Sequence, residues 1–512
     1  MRVEKTIKNS IVAIITNIVS VLIGIIAQAV FLNIMGTEYL GINSLFSNIV
    51  SMLGIVELGI GSAIVYHLYK PIAENDIVRI RTLMKFYKKC YSIIAIVILI
   101  IGMILLPFID IFVGEINVDI NIYIIFILFI IDSVASYLLT YKRSILYADQ
   151  RTYIVNLVHI IYLLIMNSMQ ILILILTRNY VLYLIIKILC RILENIILNI
   201  IVNKKYPYLK EKSKENLDKI TLLDIKTKIK GLFFHKISSY VVNGTDNIVI
   251  SVFLGVSSVG IYSNYYMIIN ALNILINQIF SSIVATVGNL LTEKNQKKNF
   301  YVYKNMLFAN FWIATFCTIS FYCIVQDFIV LWVGEEYLLN KFIIFTIAMV
   351  FYLQTMRRTL NSFKEANGIF FEDRYSAVAE AIINLVTSII FVKVLGMAGV
   401  FVGTIISSLY IFIYAYPKYT YSPLFNKTRL EYLKENSKYL IIFLFIGFVT
   451  YICTNIIEIN MLMIRILYDI IVCLVIPNIL MIVIFRKKEE FEYLKNILIS
   501  IINKFRFKGE KK

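Results

Sequence analysis

Between Ile11 and Phe485 the chain is a succession of apolar runs, each long enough to cross a bilayer, parted by short polar stretches. They fall at about 11–35, 42–69, 88–113, 120–141, 153–177, 180–202, 231–254, 260–290, 306–333, 342–363, 376–394, 398–417, 438–457 and 463–485, fourteen in all. With 60% of residues hydrophobic and only 16% charged, there is too little polar surface to cover them in water. In lipid each span must satisfy its own backbone polar groups, which an isolated segment can do only as a helix. The expected fold is therefore an all-α membrane protein of about 14 transmembrane helices. The first run is too long for a signal-peptide core and carries Asn17 and Gln28, so it reads as a retained helix.

Placing the charge gives the topology. With the N-terminus cytoplasmic, nearly all of the 50 Lys and Arg fall on inward loops and helix ends. The exceptions are Arg178, Lys341, Lys393 and Arg465 on the outward side and Lys187, Arg191 and Lys236 within spans. The net charge of +18 is thus mostly topology, and no nucleic-acid partner is expected. Six scattered cysteines suggest neither disulfides nor zinc.

The chain also repeats. MGTEYLGINS, with Gly36 and Gly41, returns as LGVSSVGIYS, with Gly255 and Gly260, at an offset of 219 residues, and Val113-Gly114-Glu115 returns at Val333-Gly334-Glu335. Two six-helix lobes of equal orientation follow, related by a pseudo-two-fold along the membrane normal, with a cavity expected between them. The expected segments are an N-lobe over 1–202, a basic cytoplasmic linker over 203–230 holding nine lysines, a C-lobe over 231–418, a loop and helix pair over 419–485, and a basic tail over 486–512.

Polar residues inside spans mark candidate sites, because charge is expensive there. On the seventh span His235, Ser239, Asn243 and Asp246 recur at helical spacing and form one stripe. Asp246 and Asn243 are candidates for ion coupling, against a role as interhelical glue. Glu57, among Gly54, Gly59 and Gly61, stands at a place where a distorted helix could free carbonyls for a cation, or it pairs with a base on a neighbouring helix. Glu380, striped with Ser376 and Asn384 on the eleventh span, is a third candidate for sodium or protons.

Lys187, Arg191 and Glu194 share one face of the sixth span and could hold phosphate oxygens, unless Arg191 is spent on Glu194. Arg357 and Arg358 on the tenth span, and Lys142 and Arg143 on the fourth, below Asp132 and Ser136, either snorkel to the inner interface or line a basic vestibule. Asn270, Asn273 and Asn277 suit a hydroxyl-rich ligand or interhelical bonding, and His159 reads as a hydrogen-bonded packing residue. No phosphate-binding loop, HExxH, CxxC or nucleophile elbow occurs, so an enzyme is not expected, and no cofactor beyond a coupling ion.

GTEYLGINSLFSNIVSMLGIVELGIGSAIVYHLYKPIAEND and NGTDNIVISVFLGVSSVGIYSNYYMIINAL resemble the Wzx-type polysaccharide repeat-unit flippases of the MOP exporter superfamily. The resemblance implies two six-helix lobes, a C-terminal helix pair and export of an undecaprenyl-diphosphate-linked oligosaccharide by alternating access, for O-antigen, capsule or another surface polysaccharide. It covers Glu57 and Asp246 within its motifs; Lys187, Arg191, Arg357 and Arg358 match it only in kind. A bacterial cell-membrane location with both termini cytoplasmic, and membrane lipids and a polysaccharide polymerase as partners, are further expectations. A lipid II or teichoic-type precursor flippase and a cation-coupled multidrug exporter are the alternatives.

Overall fold

The computed structural model describes residues 2–509 apart from 58, 212–214, 294 and 370. Among the described residues there is no strand. Following the chain, the helices are α1 (Arg2–Met35), α2 (Thr37–Leu53), α3 (Ile60–Glu74), α4 (Ile77–Leu105), α5 (Ile109–Val113), α6 (Ile122–Tyr137), α7 (Arg143–Ala148), α8 (Thr152–Thr177) and α9 (Tyr180–Lys205). They continue as α10 (Lys219–Leu254), α11 (Val256–Thr292), α12 (Gln296–Trp332), α13 (Lys341–Asn367), α14 (Arg374–Leu395), α15 (Met397–Tyr410), α16 (Ser422–Phe425), α17 (Arg429–Asn455), α18 (Leu462–Phe485) and α19 (Glu489–Gly509).

The protein is thus an all-helical, multi-pass membrane protein. Among the described residues, 12 helical stretches are long and apolar enough to cross a bilayer. The two expected spans missing from that set correspond to α9 and α13, of 26 and 27 residues, which have the length. What sets them apart is charge: Lys187, Arg191 and Glu194 on one, Arg357 and Arg358 on the other.

The chain forms two compact units, Met1–Ser263 and Asn264–Lys512. In the first, α1 packs on α8, α8 on α9, α4 and α9 on α6, and α10 on α2, α3 and α5. In the second, α12 is central, packed by α13, α17, α18 and the start of α19, while α14 and α15 pair along their length. The stretch read as a linker continues α9, makes a tight turn at Pro207–Lys210 and enters α10. Acidic residues fasten it to α4: Arg79 meets Asp218 at 3.0 Å and Arg81 meets Glu211 at 2.7 Å. Asp218 caps α10. The Thr221 backbone N–H, then its hydroxyl, and Arg79 more weakly, hold the Asp218 carboxyl below its usual range.

The repeated glycines have matching geometry. Gly36 and Gly255, with φ of 87° and 83°, turn the chain between α1 and α2 and between α10 and α11. Five residues on in each case, Gly41 and Gly260 let the starts of α2 and α11 cross in contact. A Cβ on Gly41 would stand 2.0 Å from the Val256 carbonyl oxygen, and one on Gly260 2.3 Å from that of Thr37. Each repeat's glycine therefore presses on the first turn of the other repeat's helix.

The expected second span is not one straight helix. After Leu53 the chain tightens into a 3-10 turn, Gly54–Glu57, and Gly59 adopts a left-handed φ of 78° before α3 begins. The fourth span breaks as well: Leu138 is extended, Leu139 takes a φ of 66°, and the helix restarts at Arg143.

Candidate functional site

The break after α6 creates the strongest charge cluster of the first unit. Ending a helix inside a protein leaves carbonyls without donors. Asn195 of α9 supplies them, its Nδ2 donating to the carbonyls of Ala135 at 2.8 Å and Leu138 at 3.0 Å. Its Oδ1 accepts from Arg143 Nη2 at 2.7 Å, so the same side chain fixes the first residue of α7. Arg143 also meets Glu194 at 3.2 Å, and His159 Nδ1 lies 3.0 Å from that carboxylate, whose side chain is 0% exposed. His159 stacks on Tyr162 and is the hydrogen-bonded packing residue the sequence suggested.

One turn away on α9, Lys187 and Arg191 converge on a single carboxylate of α6. Arg191 Nε donates to Asp132 Oδ1 at 2.7 Å, and Lys187 Nζ approaches Oδ2 at 3.3 Å. Arg191 therefore does not pair with Glu194, which is held by Arg143 instead. Phe129 and Tyr162 lie under Lys187 and Arg191 at 5.0 and 5.6 Å. Lys142 donates to Asn203 at 2.6 Å. The cluster sets Lys187, Arg191, Arg143 and Lys142 against Asp132 and Glu194, so it carries more positive than negative charge even with His159 neutral. Two cations sharing one carboxylate are each incompletely satisfied, and both remain about one-fifth exposed.

The second unit treats its bases differently. Arg357 of α13 grips Glu380 of α14 with two nitrogens, Nη1 to Oε1 at 2.5 Å and Nη2 to Oε2 at 3.1 Å. Its Nε donates to the Tyr416 hydroxyl at 3.3 Å, which in turn donates to Asn361 at 2.7 Å. Arg357 and Glu380, read from the sequence as a substrate base and an ion site, are thus partners of each other. Arg358 donates to Asn273 at 2.6 Å, whereas Asn270 and Asn277 are exposed on α11. The stripe of Ser376, Glu380 and Asn384 extends to Ser388, all buried, with Asn384 bonded to Thr404 at 3.0 Å. Lys364 and Asp373 form a further buried ion pair, unmarked in the sequence reading.

Glu57 has a third kind of setting. Tyr91 donates to it at 2.5 Å, and Tyr87 donates to the Tyr91 hydroxyl at 3.2 Å. A Cβ on Gly61 would stand 2.7 Å from Glu57 Oε1, and one on Gly54 would meet the hydroxyls of Tyr137 and Tyr240. The sequence left a base on a neighbouring helix open as one of two settings for Glu57; the partner described is the Tyr91 hydroxyl of α4, and the glycines give it room. The pair Tyr87 and Tyr91, four residues apart, was the available sequence signal. Asp246 is half-buried on α10, next to buried Thr245 and Asn247. The side chains of Asn243 and His235 lie outside the described residues.

The described residues contain no group of three or more His, Cys, Asp or Glu able to hold a metal ion. No curated protein matches the sequence. Among solved structures, the chain is similar to the lipid II flippase MurJ in an inward closed conformation, at 16% identity and a TM-score of 0.66, over 93% of this chain and 99% of that one. It is also similar to an inward-facing multidrug-resistance MATE transporter of the MOP superfamily, at 14% identity and a TM-score of 0.59, over 78% and 96%. The Vibrio cholerae MATE transporter VcmN follows at 12% identity and a TM-score of 0.51, over 79% and 96%. These likenesses establish the fold. The family model Polysacc_synt, polysaccharide biosynthesis protein, matches residues 6–287, more than half of the sequence. The chain is accordingly a member of the polysaccharide biosynthesis protein family, built on the fold shared by MurJ and the MATE transporters.

Proposed function

We propose that the protein is a flippase that carries an undecaprenyl-diphosphate-linked oligosaccharide from the cytoplasmic to the outer leaflet of the bacterial cell membrane, for a surface polysaccharide. The observation that carries this reading is the surplus of positive charge around α9. Lys187 and Arg191 share the one carboxylate of Asp132, and a diphosphate brings several oxygens that could replace it. In a family of polysaccharide biosynthesis proteins, an amphiphilic anion of that kind is the fitting cargo. A cationic drug would meet the wrong sign of charge there. Fourteen spans, cytoplasmic termini and two lobes alternating in access complete the reading.

Asn270 and Asn277, exposed on α11, suit the sugar hydroxyls. Coupling to sodium or protons falls to Glu57 and Asp246, with Asn243 beside the latter. At Glu380 a coupling ion would first have to displace Arg357. No chemical step is assigned to the chain, and a polymerase would receive the flipped unit. The test is complementation: a bacterium deleted for its own O-antigen or capsule flippase is given this gene and scored for surface polysaccharide and for accumulated lipid-linked saccharide. Restored export that fails in Arg191→Gln, with the variant still inserted in the membrane, supports the reading. No restoration with any oligosaccharide, alongside efflux of a cationic dye, contradicts it.

A further inference from the structure

With the N-terminus cytoplasmic, Arg178, Lys341, Lys393 and Arg465 stand on the outward side, against the general run of charge. Two of them share one place in the second unit. Lys341 at the start of α13 and Arg465 near the start of α18 both line a small polar cavity of about 60 Å³. Both bases are exposed, whereas the acids of that cavity are covered: Asp327 meets Arg465 at 2.8 Å with 15% of its side chain exposed, and Asp469 is buried. Lys341 has no acid partner among the described residues, and its Nζ donates to the Tyr451 hydroxyl at 3.2 Å. The rim of the cavity is therefore positive although its lining as a whole is balanced.

An apolar groove of about 280 Å³ runs from this place toward the middle of the spans, between α12, α13 and α17, and shares Tyr322 and Tyr451 with the polar cavity. It originates on α17, where Phe443, Gly447 and Tyr451 recur every four residues along one face. Phe443 stacks on Tyr352 of α13 with ring centroids 4.0 Å apart, and Tyr451 lies against Tyr322 of α12 at 5.7 Å. The two rings are thus held in place, and the glycine between them leaves a gap. No close helix crossing requires that glycine, unlike Gly41 and Gly260: a Cβ on Gly447 would meet only the Ile319 side chain, at 3.7 Å. Leu444 and Phe448 beside it are 43% and 64% exposed, so the groove opens sideways. An apolar gap neither holds water nor gains contacts while empty, and in a membrane its neighbours are hydrocarbon chains.

We propose that the groove is a binding site for one phospholipid of the outer leaflet, with a hydrocarbon chain laid along α17 and the phosphate on Lys341 and Arg465. From Phe443 to Tyr451 the groove runs about 12 Å along the helix, most of the ~15 Å that one leaflet's hydrocarbon occupies. That length suits an acyl chain; the polyprenyl tail of the proposed cargo is several times longer. The bases sit at headgroup level, at the ends of their spans, where an ammonium and a guanidinium take phosphate oxygens. The bound lipid fills the gap that Gly447 leaves and joins α17 and α18 to α12 and α13. The site stands on its own geometry and does not require the transport reading.

Native mass spectrometry of the purified full-length protein, released from detergent micelles containing phosphatidylglycerol, tests it. The wild type should retain one phosphatidylglycerol. Gly447→Ala, whose methyl group has room, should keep it, and Gly447→Phe, which fills the groove, should lose it. Lys341→Gln, an exposed change, should weaken retention about tenfold, the loss of one charge-assisted contact. Melting temperatures confirm that the variants fold; should Gly447→Phe not fold, Gly447→Leu takes its place. No retained lipid in the wild type, or wild-type retention in the groove-filling variant or in Lys341→Gln, overturns the site. Displacement of the phosphatidylglycerol by equimolar undecaprenyl phosphate overturns the phospholipid in favour of the carrier.

Discussion

The charge clusters around α9 and around α13 have the same ingredients, basic residues inside a span facing acids on a neighbouring helix, and they are resolved in opposite ways. On α13 the pair of Arg357 and Glu380 is matched one to one: both oxygens of Glu380 are taken by Arg357, and Tyr416 and Asn361 close the chain of hydrogen bonds, while the neighbouring Arg358 is held by the neutral Asn273. Around α9 two cations divide one carboxylate, and a third and fourth are held by Glu194 and by Asn203. A matched buried pair is a structural device, costly to break and of little use to a ligand. A surplus is different, since an incoming anion improves the balance instead of disturbing it. On the proposed reading, the matched pair serves stability and the surplus around α9 serves recognition.

That division can be broken by experiment. The largest effect on stability should come from Glu380→Ala, which strands a buried guanidinium and should cost about 3–5 kcal/mol, read as a fall in melting temperature of the detergent-solubilised protein. Asp132→Asn should cost about half of that, because Lys187 and Arg191 keep some access to solvent. The same variant sharpens the contrast: with its competitor gone, the surplus should bind diphosphate several-fold more tightly in a titration. If Asp132→Asn weakens diphosphate binding instead, the acid belongs to the binding machinery and the surplus is no surplus. The smallest effect is expected from His159→Phe, about 1 kcal/mol for one hydrogen bond, with the ring stack on Tyr162 kept and export unchanged.

Much of this was legible in the sequence, for reasons that are local. Hydrophobic runs fix the spans, and glycines mark where a helix must break or approach its neighbour, as at Gly59 and at Gly41 with Gly260. The helical period puts Lys187, Arg191 and Glu194 on one face. It says nothing of what that face meets: Asp132 lies 59 residues from Arg191, and the sequence left Glu194 as the alternative partner. Arg357 and Glu380 were each legible as charged residues inside a span, but their pairing across 23 residues was not. Charges outside any stripe escaped altogether. Asp327 stands alone in its apolar run, and only the packing of α18 on α12 brings it within 2.8 Å of Arg465.

The most direct test of the central claim is the binding of undecaprenyl diphosphate to the purified full-length protein at low and moderate salt. The wild type should bind, and more weakly as salt rises. Arg191→Gln and Lys187→Gln should each lose about tenfold, the loss of one charge-assisted contact. Wild-type affinity in both variants would contradict the account, for it would mean that the cations of α9 hold the fold alone and that the anion is recognised elsewhere.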